Sequence, residues 1–83
     1  KLPVILAGDF NAVVDSDAIK TMDSSFERTC TENCPPTIPV IKPKKAIDFI
    51  YFKSKKDFTV KHHEVISETY ASDHLPVFTI LSY

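Results

Sequence analysis

The sequence predicts an α/β fold of the α+β kind, in the order strand, helix, strand, strand, strand, and three observations predict it. Val, Ile and Thr make up 22 residues against 9 Leu and Ala, a weighting toward side chains that fit a pleated surface. One stretch, with Ala18, Ile19, Met22 and Phe26, repeats at helical spacing. The other apolar runs are short and bounded by turn or loop residues, as strands are.

Leu2 to Ala7 is a continuous apolar run apart from Pro3, which predicts a buried strand feeding a tight turn at Gly8, the single glycine. Ser16 or Asp15 can cap the helix, with Asp17 near its positive end. From Glu27 to Lys45 the pattern breaks into Thr, Cys, Asn and Pro, and Pro35, Pro36, Pro39 and Pro43 predict a long loop. Ile47 to Phe52 reads as a strand, and a Lys53 to Asp57 turn joins it to a second strand over about Phe58 to Ile66, a predicted hairpin. Glu68 to Asp73 is another loop, and Val77 to Leu81 supplies the last strand.

With 83 residues the chain can hold one domain at most, and a chain of this size buries only about 60% of its unfolded surface. No apolar run approaches the length of a membrane span, and the opening residues lack the features of a signal peptide. The chain enters a strand by its second residue without an initiating Met, so we expect residues 1–83 to be part of a longer protein.

The formal net charge of -1 excludes a polycation built for nucleic acid. Residues 42–61 nevertheless carry seven Lys against Asp48 and Asp57, a local balance of +5. Lysines of this kind either guard a solvated strand edge or form a cationic rim for a phosphate-bearing substrate. Cys30 and Cys34 can close a small loop as a disulfide, remain two thiols, or supply zinc together with His62 and His63. Zinc is disfavoured, because neighbouring histidines on one strand point to opposite faces. The pair leans toward an oxidising, secreted or periplasmic space and leaves the compartment otherwise open.

Three segments place acids where burial is expensive. Asp9 and Asn11 leave the C-terminal end of the first strand, the end at which parallel sheets present ligand sites. Asp9 can order a water or a metal and Asn11 a phosphoryl oxygen, or either can form an Asx turn with its own backbone. Alternation in the second strand puts Asp48 on one face with Ile50 and Phe52, where a lone carboxylate costs several kcal/mol unless paired. Asp73 and His74, just before the last strand, offer a carboxylate and an imidazole that Asp48 could orient. Such a pair is either the acid-base element of a hydrolytic site or a structural contact at a strand end.

Gly8-Asp9-Phe10-Asn11-Ala12, Ile47-Asp48-Phe49-Ile50 and Ser72-Asp73-His74-Leu75-Pro76-Val77, in that order, resemble the three C-terminal motifs of the endonuclease/exonuclease/phosphatase superfamily. That superfamily includes DNase I-like nucleases, inositol polyphosphate phosphatases and neutral sphingomyelinases. The resemblance implies a four-layer β-sandwich flanked by helices, of which residues 1–83 would be the C-terminal portion. It implies a divalent-metal-dependent phosphoesterase using Mg2+ or Mn2+. Asp9 would position the attacking water, Asn11 the scissile phosphate, and Asp73, with Asp9 and Asn11, the metal. His74, held by Asp48, would contact the substrate and stabilise transition-state charge.

The family's metal-binding Glu, a further Asn and a second catalytic His belong to the N-terminal half. The isolated chain is therefore expected to be inactive, and to need that half or self-association to cover its sheet. Two other readings stand beside this one: a non-catalytic scaffold that binds phosphorylated ligands, and an endonuclease acting on DNA. With no Trp and no base-stacking set, a small or lipid-linked phosphoester is the expected substrate rather than nucleic acid.

Overall fold

A computed structural model describes residues 2–53 and 56–83. The chain runs β1 (Val4–Asp9), α1 (Asp17–Asp23), β2 (Glu27–Arg28), β3 (Asp48–Lys53), β4 (Thr59–Val65) and β5 (Val77–Ser82). It is an α+β fold with two antiparallel sheets, ordered β1-β3-β2 and β4-β5, and one short helix, consistent with part of a sandwich.

β3 is the central strand, paired with β1 from Val4↔Lys53 to Asp9↔Asp48 and with β2 through Glu27 and Arg28. Its pleat sends Phe49 and Tyr51 to one side, where they meet Ile19 of α1 in a core that Phe10, Met22 and Phe26 extend. The other side carries Asp48, Ile50 and Phe52, and Phe52 stacks edge-on against Phe58, which in turn meets Tyr83. Helix α1 starts where Ser16 Oγ accepts the Ile19 N–H at 3.4 Å, with Asp17 in the first turn, as its capping pattern predicts.

Several expectations are corrected. β1 is not buried: every residue of it is exposed, including Ile5 at 58%, because it is an edge strand and the seven-residue helix is too short to cover it. Gly8 lies inside β1 rather than in a turn. The chain reverses later, with Asn11 and Asp15 in the left-handed region at φ 49° and 80°, which short polar side chains tolerate. β3 and β4 do not form a hairpin, since β4 pairs with β5 and β3 lies between β1 and β2. The expected turn between them includes Ser54 and Lys55, which lie outside the described residues. The long loop holds two pieces of pairing that its prolines hide, β2 and an isolated bridge between Ile38 and Lys45.

Cys30 and Cys34 are disulfide-bonded, which removes them as zinc ligands. Arg28 secures this loop from the helix side: it pairs with Asp23 at 2.9 Å and donates to the Cys30 carbonyl at 3.1 Å. The lysines expected in one basic hairpin are dispersed. Lys53 sits over the Phe26 ring at 4.5 Å, Lys61 lies in β4, and Lys44 and Lys45 belong to the loop before β3. No helix among the described residues is long and apolar enough to cross a membrane.

The two sheets are also joined by a polar contact, Thr29 Oγ1 to His63 Nδ1 at 2.7 Å. Burial, with a smaller contribution from the neighbouring His62, pulls His63 below the ordinary histidine value. The unfolded chain then takes the proton more readily, so the stability due to neutral His63 is complete above about pH 6.5 and is lost as pH falls through the lower folded value. Denaturant midpoints measured from pH 7.5 to 5 are expected to show the difference between wild type and His63→Gln shrinking toward acid. A difference that does not change with pH would show that His63 carries no such linkage.

Candidate active site

The β1–β3 register brings the first two acidic segments together. Asp9 ends β1, Asp48 begins β3, and the two are direct cross-strand partners on the same face. Antiparallel pairing of β1 with β3 makes this end of the sheet acidic. Like charges placed opposite one another destabilise a sheet unless a cation intervenes.

His74 is that group. Its Nδ1 donates to Asp48 Oδ2 at 2.8 Å, and its Nε2 lies 3.7 Å from Asp9 Oδ2 and 3.9 Å from Asp73 Oδ1. An ionised carboxylate can only accept, so Asp48 fixes the imidazole with a proton on Nδ1 and leaves Nε2 facing the other two acids. The Asp48 hydrogen bond is the largest cause holding His74 above its ordinary pKa. The negative charges of Asp48, Asp9 and Asp73 add to it, and partial burial opposes it. The linkage has the opposite sign to that of His63: this pairing is fully stabilising below about pH 6.5 and is lost as pH rises through the raised value.

Local bonding sets each side chain. The Asn11 N–H donates to Asp9 Oδ1 at 2.8 Å, an Asx turn that leaves Oδ2 free to face His74. The His74 N–H donates to Ser72 Oγ at 3.0 Å, shaping the turn that delivers the imidazole. Asp9, Asp48 and His74 offer ligand atoms within 4.8 Å of one another. They open on a cleft of about 320 Å3 whose apolar walls include Ala7, Ile50 and Leu75.

Of the residues singled out in the sequence, the fold thus brings Asp9, Asp48 and His74 together. Asp73 stands at the rim with its side chain 88% exposed, and Asn11 is exposed beside Asp9.

Sequence reasoning missed Thr37. Its side chain is buried, its Oγ1 accepts the Ile47 N–H at 3.2 Å, and its carbonyl accepts the Leu75 N–H at 2.7 Å. One residue therefore ties the chain just before Asp48 to the chain just after His74. Nothing in the periodicity marks it, since it sits between Pro36 and Ile38 in a segment without a pattern.

A sheet edge that pairs two carboxylates across an oriented imidazole defines a site suited to polar hydrolytic chemistry. Residues 1–74 match the Endonuclease/Exonuclease/phosphatase family. The chain belongs to that family, a superfamily of metal-dependent phosphoesterases and nucleases whose members are in general hydrolases. No curated protein and no solved structure matches the chain.

Proposed function

We propose that this site hydrolyses a phosphoester, with a small or lipid-linked phosphodiester or phosphomonoester as substrate. One observation carries the proposal: His74 is locked to Asp48 through Nδ1, while its Nε2 faces Asp9 across a 3.7 Å gap, wide enough to be completed by a bound oxygen. Asp9 positions and deprotonates the attacking water. Asn11 orients the phosphate, and protonated His74 donates to a phosphoryl oxygen as negative charge builds on it. Asp48 touches no substrate and acts by holding the ring.

Asp9 and Asp73, with the Asn11 amide, would hold Mg2+ or Mn2+; this all-oxygen donor set suits a hard cation, and His74 is already engaged by Asp48. When bound, the ion supplies charge neutralisation for the phosphoryl oxygens.

We also read residues 1–83 as the C-terminal portion of the catalytic domain. The support is bare apolar surface: Ile5 on β1, and Phe78 and Ile80 on one face of the β4–β5 sheet, are 58%, 43% and 47% exposed. The rest of the domain would pack there and contribute the family's remaining site residues.

The test is hydrolysis of a chromogenic phosphodiester by the full-length protein with Mg2+, with EDTA, and in the Asp9→Ala and His74→Ala variants. Metal-dependent turnover is expected in the wild type and in neither variant. A folded full-length protein that turns over no phosphoester with any divalent metal would overturn the proposal. Turnover by the 83-residue chain alone would overturn the reading of it as an incomplete site.

A further inference from the structure

Asp9, Asp48 and His74 do not hang on one element. Asp9 and Asp48 are set by the register of β1 on β3, whereas His74 enters from the segment before β5, a strand of the other sheet. The 3.7 Å gap between His74 Nε2 and Asp9 Oδ2 therefore depends on how that segment is fixed against β1 and β3.

The fixing runs through Thr37. The Phe10 N–H donates to the Ile47 carbonyl at 2.8 Å, the Ile47 N–H donates to Thr37 Oγ1 at 3.2 Å, and the Leu75 N–H donates to the Thr37 carbonyl at 2.7 Å. Phe10 follows Asp9, Ile47 precedes Asp48, and Leu75 follows His74. This chain of bonds thus touches the immediate neighbour of each of the three site residues, and the Thr37 hydroxyl is its single side-chain link.

Thr37 is 1% exposed and does not line the cleft, so it does not meet a substrate. Ile47 and Leu75 are buried too, and an isosteric Val at position 37 would leave the Ile47 N–H facing a methyl group with no room for a water. The Thr37 N–H also donates to the Lys45 carbonyl at 2.9 Å. Without its hydroxyl the residue would be held only there, two positions further from Asp48. Thr29 offers a contrast: its hydroxyl also joins the two sheets, at 2.7 Å from His63 Nδ1, but it adjoins no site residue at either end.

We propose that Thr37 is a positioning residue for the hydrolytic site, its hydroxyl and carbonyl setting the place of His74 relative to Asp9 and Asp48. The proposal rests on the phosphoesterase reading of that site. What Thr37 supplies is placement, and a misplacement of about 1 Å between reacting groups costs on the order of 100-fold in rate.

The experiment compares full-length wild type with Thr37→Val, Thr37→Ser and Thr29→Val. On a chromogenic phosphodiester with Mg2+, Thr37→Val is expected to lower kcat roughly 10- to 100-fold while KM stays within about twofold. Thr37→Ser keeps the acceptor and should retain most of the turnover. Thr29→Val removes a comparable buried hydroxyl and should lower Tm with kcat unchanged. Wild-type kcat in Thr37→Val, or an equal loss in Thr29→Val, would overturn the proposal.

Amide hydrogen exchange in EDTA reads the same clasp without hydrolysis. In Thr37→Val the Phe10 and Leu75 amides, whose own partners the substitution leaves in place, should exchange about tenfold faster relative to those of β4. Acceleration confined to Ile47, or uniform along the chain, would overturn the clasp. The expected exchange pattern in a protein that hydrolyses no phosphoester would keep the clasp and overturn the hydrolytic reading instead. If Thr37→Val does not fold, Thr37→Ala gives both readouts, since its smaller side chain admits a water that satisfies the Ile47 N–H without tethering it.

Discussion

Asp48→Asn in the full-length protein is expected to lower phosphoester hydrolysis by roughly 10^2- to 10^4-fold, with KM changed by no more than about twofold. The reason is the role of the carboxylate. Asp48 bonds the imidazole through Nδ1, and in the proposed mechanism it acts by setting which nitrogen of His74 carries a proton and where the ring points. An amide of the same shape can donate to Nδ1 instead of accepting from it, which would turn the ring into the wrong tautomer without disturbing the packing. Some stability should be lost as well, because the substitution removes the charge that pairs with protonated His74, a loss that relief of the like charges facing each other across β1 and β3 only partly offsets.

A pH profile separates this role from a purely structural one. The Asp48 hydrogen bond is the first cause of the raised His74 pKa, so its loss returns His74 toward the ordinary value. If protonated His74 is the working form, the alkaline limb of kcat/KM moves to lower pH in the variant. Unchanged kcat with a lowered melting temperature would instead show that Asp48 only ties His74 to the sheet.

How far the sequence carried this site depends on which interaction each residue makes. Asp48 was legible because an acid within an alternating apolar strand demands a partner, and His74 offered one. The exact apposition of Asp9 and Asp48 was not, since it depends on β1 and β3 being antiparallel neighbours across a separation of more than 30 residues. Hydrophobic patterning gives the period of a strand but says nothing of its partner, which is also why β3 and β4 read as a hairpin. β1 shows the same limit in burial. Its apolar run is that of a strand covered on both faces, yet in these 83 residues it stays an edge. Thr37 was illegible for a different reason: its work is done by one hydroxyl and one carbonyl in a loop whose conformation no local pattern encodes.

Tyr51 is where the fold is expected to fail first. It is fully buried at the centre of β3, with its ring 5.3 Å from Phe10 and 6.2 Å from Phe26 between centroids, against Ile19 of the helix. Tyr51→Ala removes the ring that joins helix to sheet and is expected to cost about 3–5 kcal/mol. Native domains are stable by only about 5–15 kcal/mol in total, so the loss takes a large share of it. Tyr51→Phe keeps the ring and removes only the hydroxyl that donates to Asp23 at 3.3 Å. Asp23 retains its pair with Arg28, so no charge is stranded, and the cost should be about 1 kcal/mol, read as a lowered Tm.

Alkaline titration supplies an independent signature. Burial, reinforced by the charge of Asp23, pushes the Tyr51 phenol up to about 12. The stability due to its neutral form is complete below about pH 10 and is lost as pH rises through the folded value, a slope that Tyr51→Phe should abolish. Tyr51 faces away from Asp48 along β3, so the Phe variant should keep the site intact while the Ala variant goes to the insoluble fraction. A Tyr51→Ala protein that melts within a few degrees of wild type would show that the core does not depend on the contact between α1 and β3.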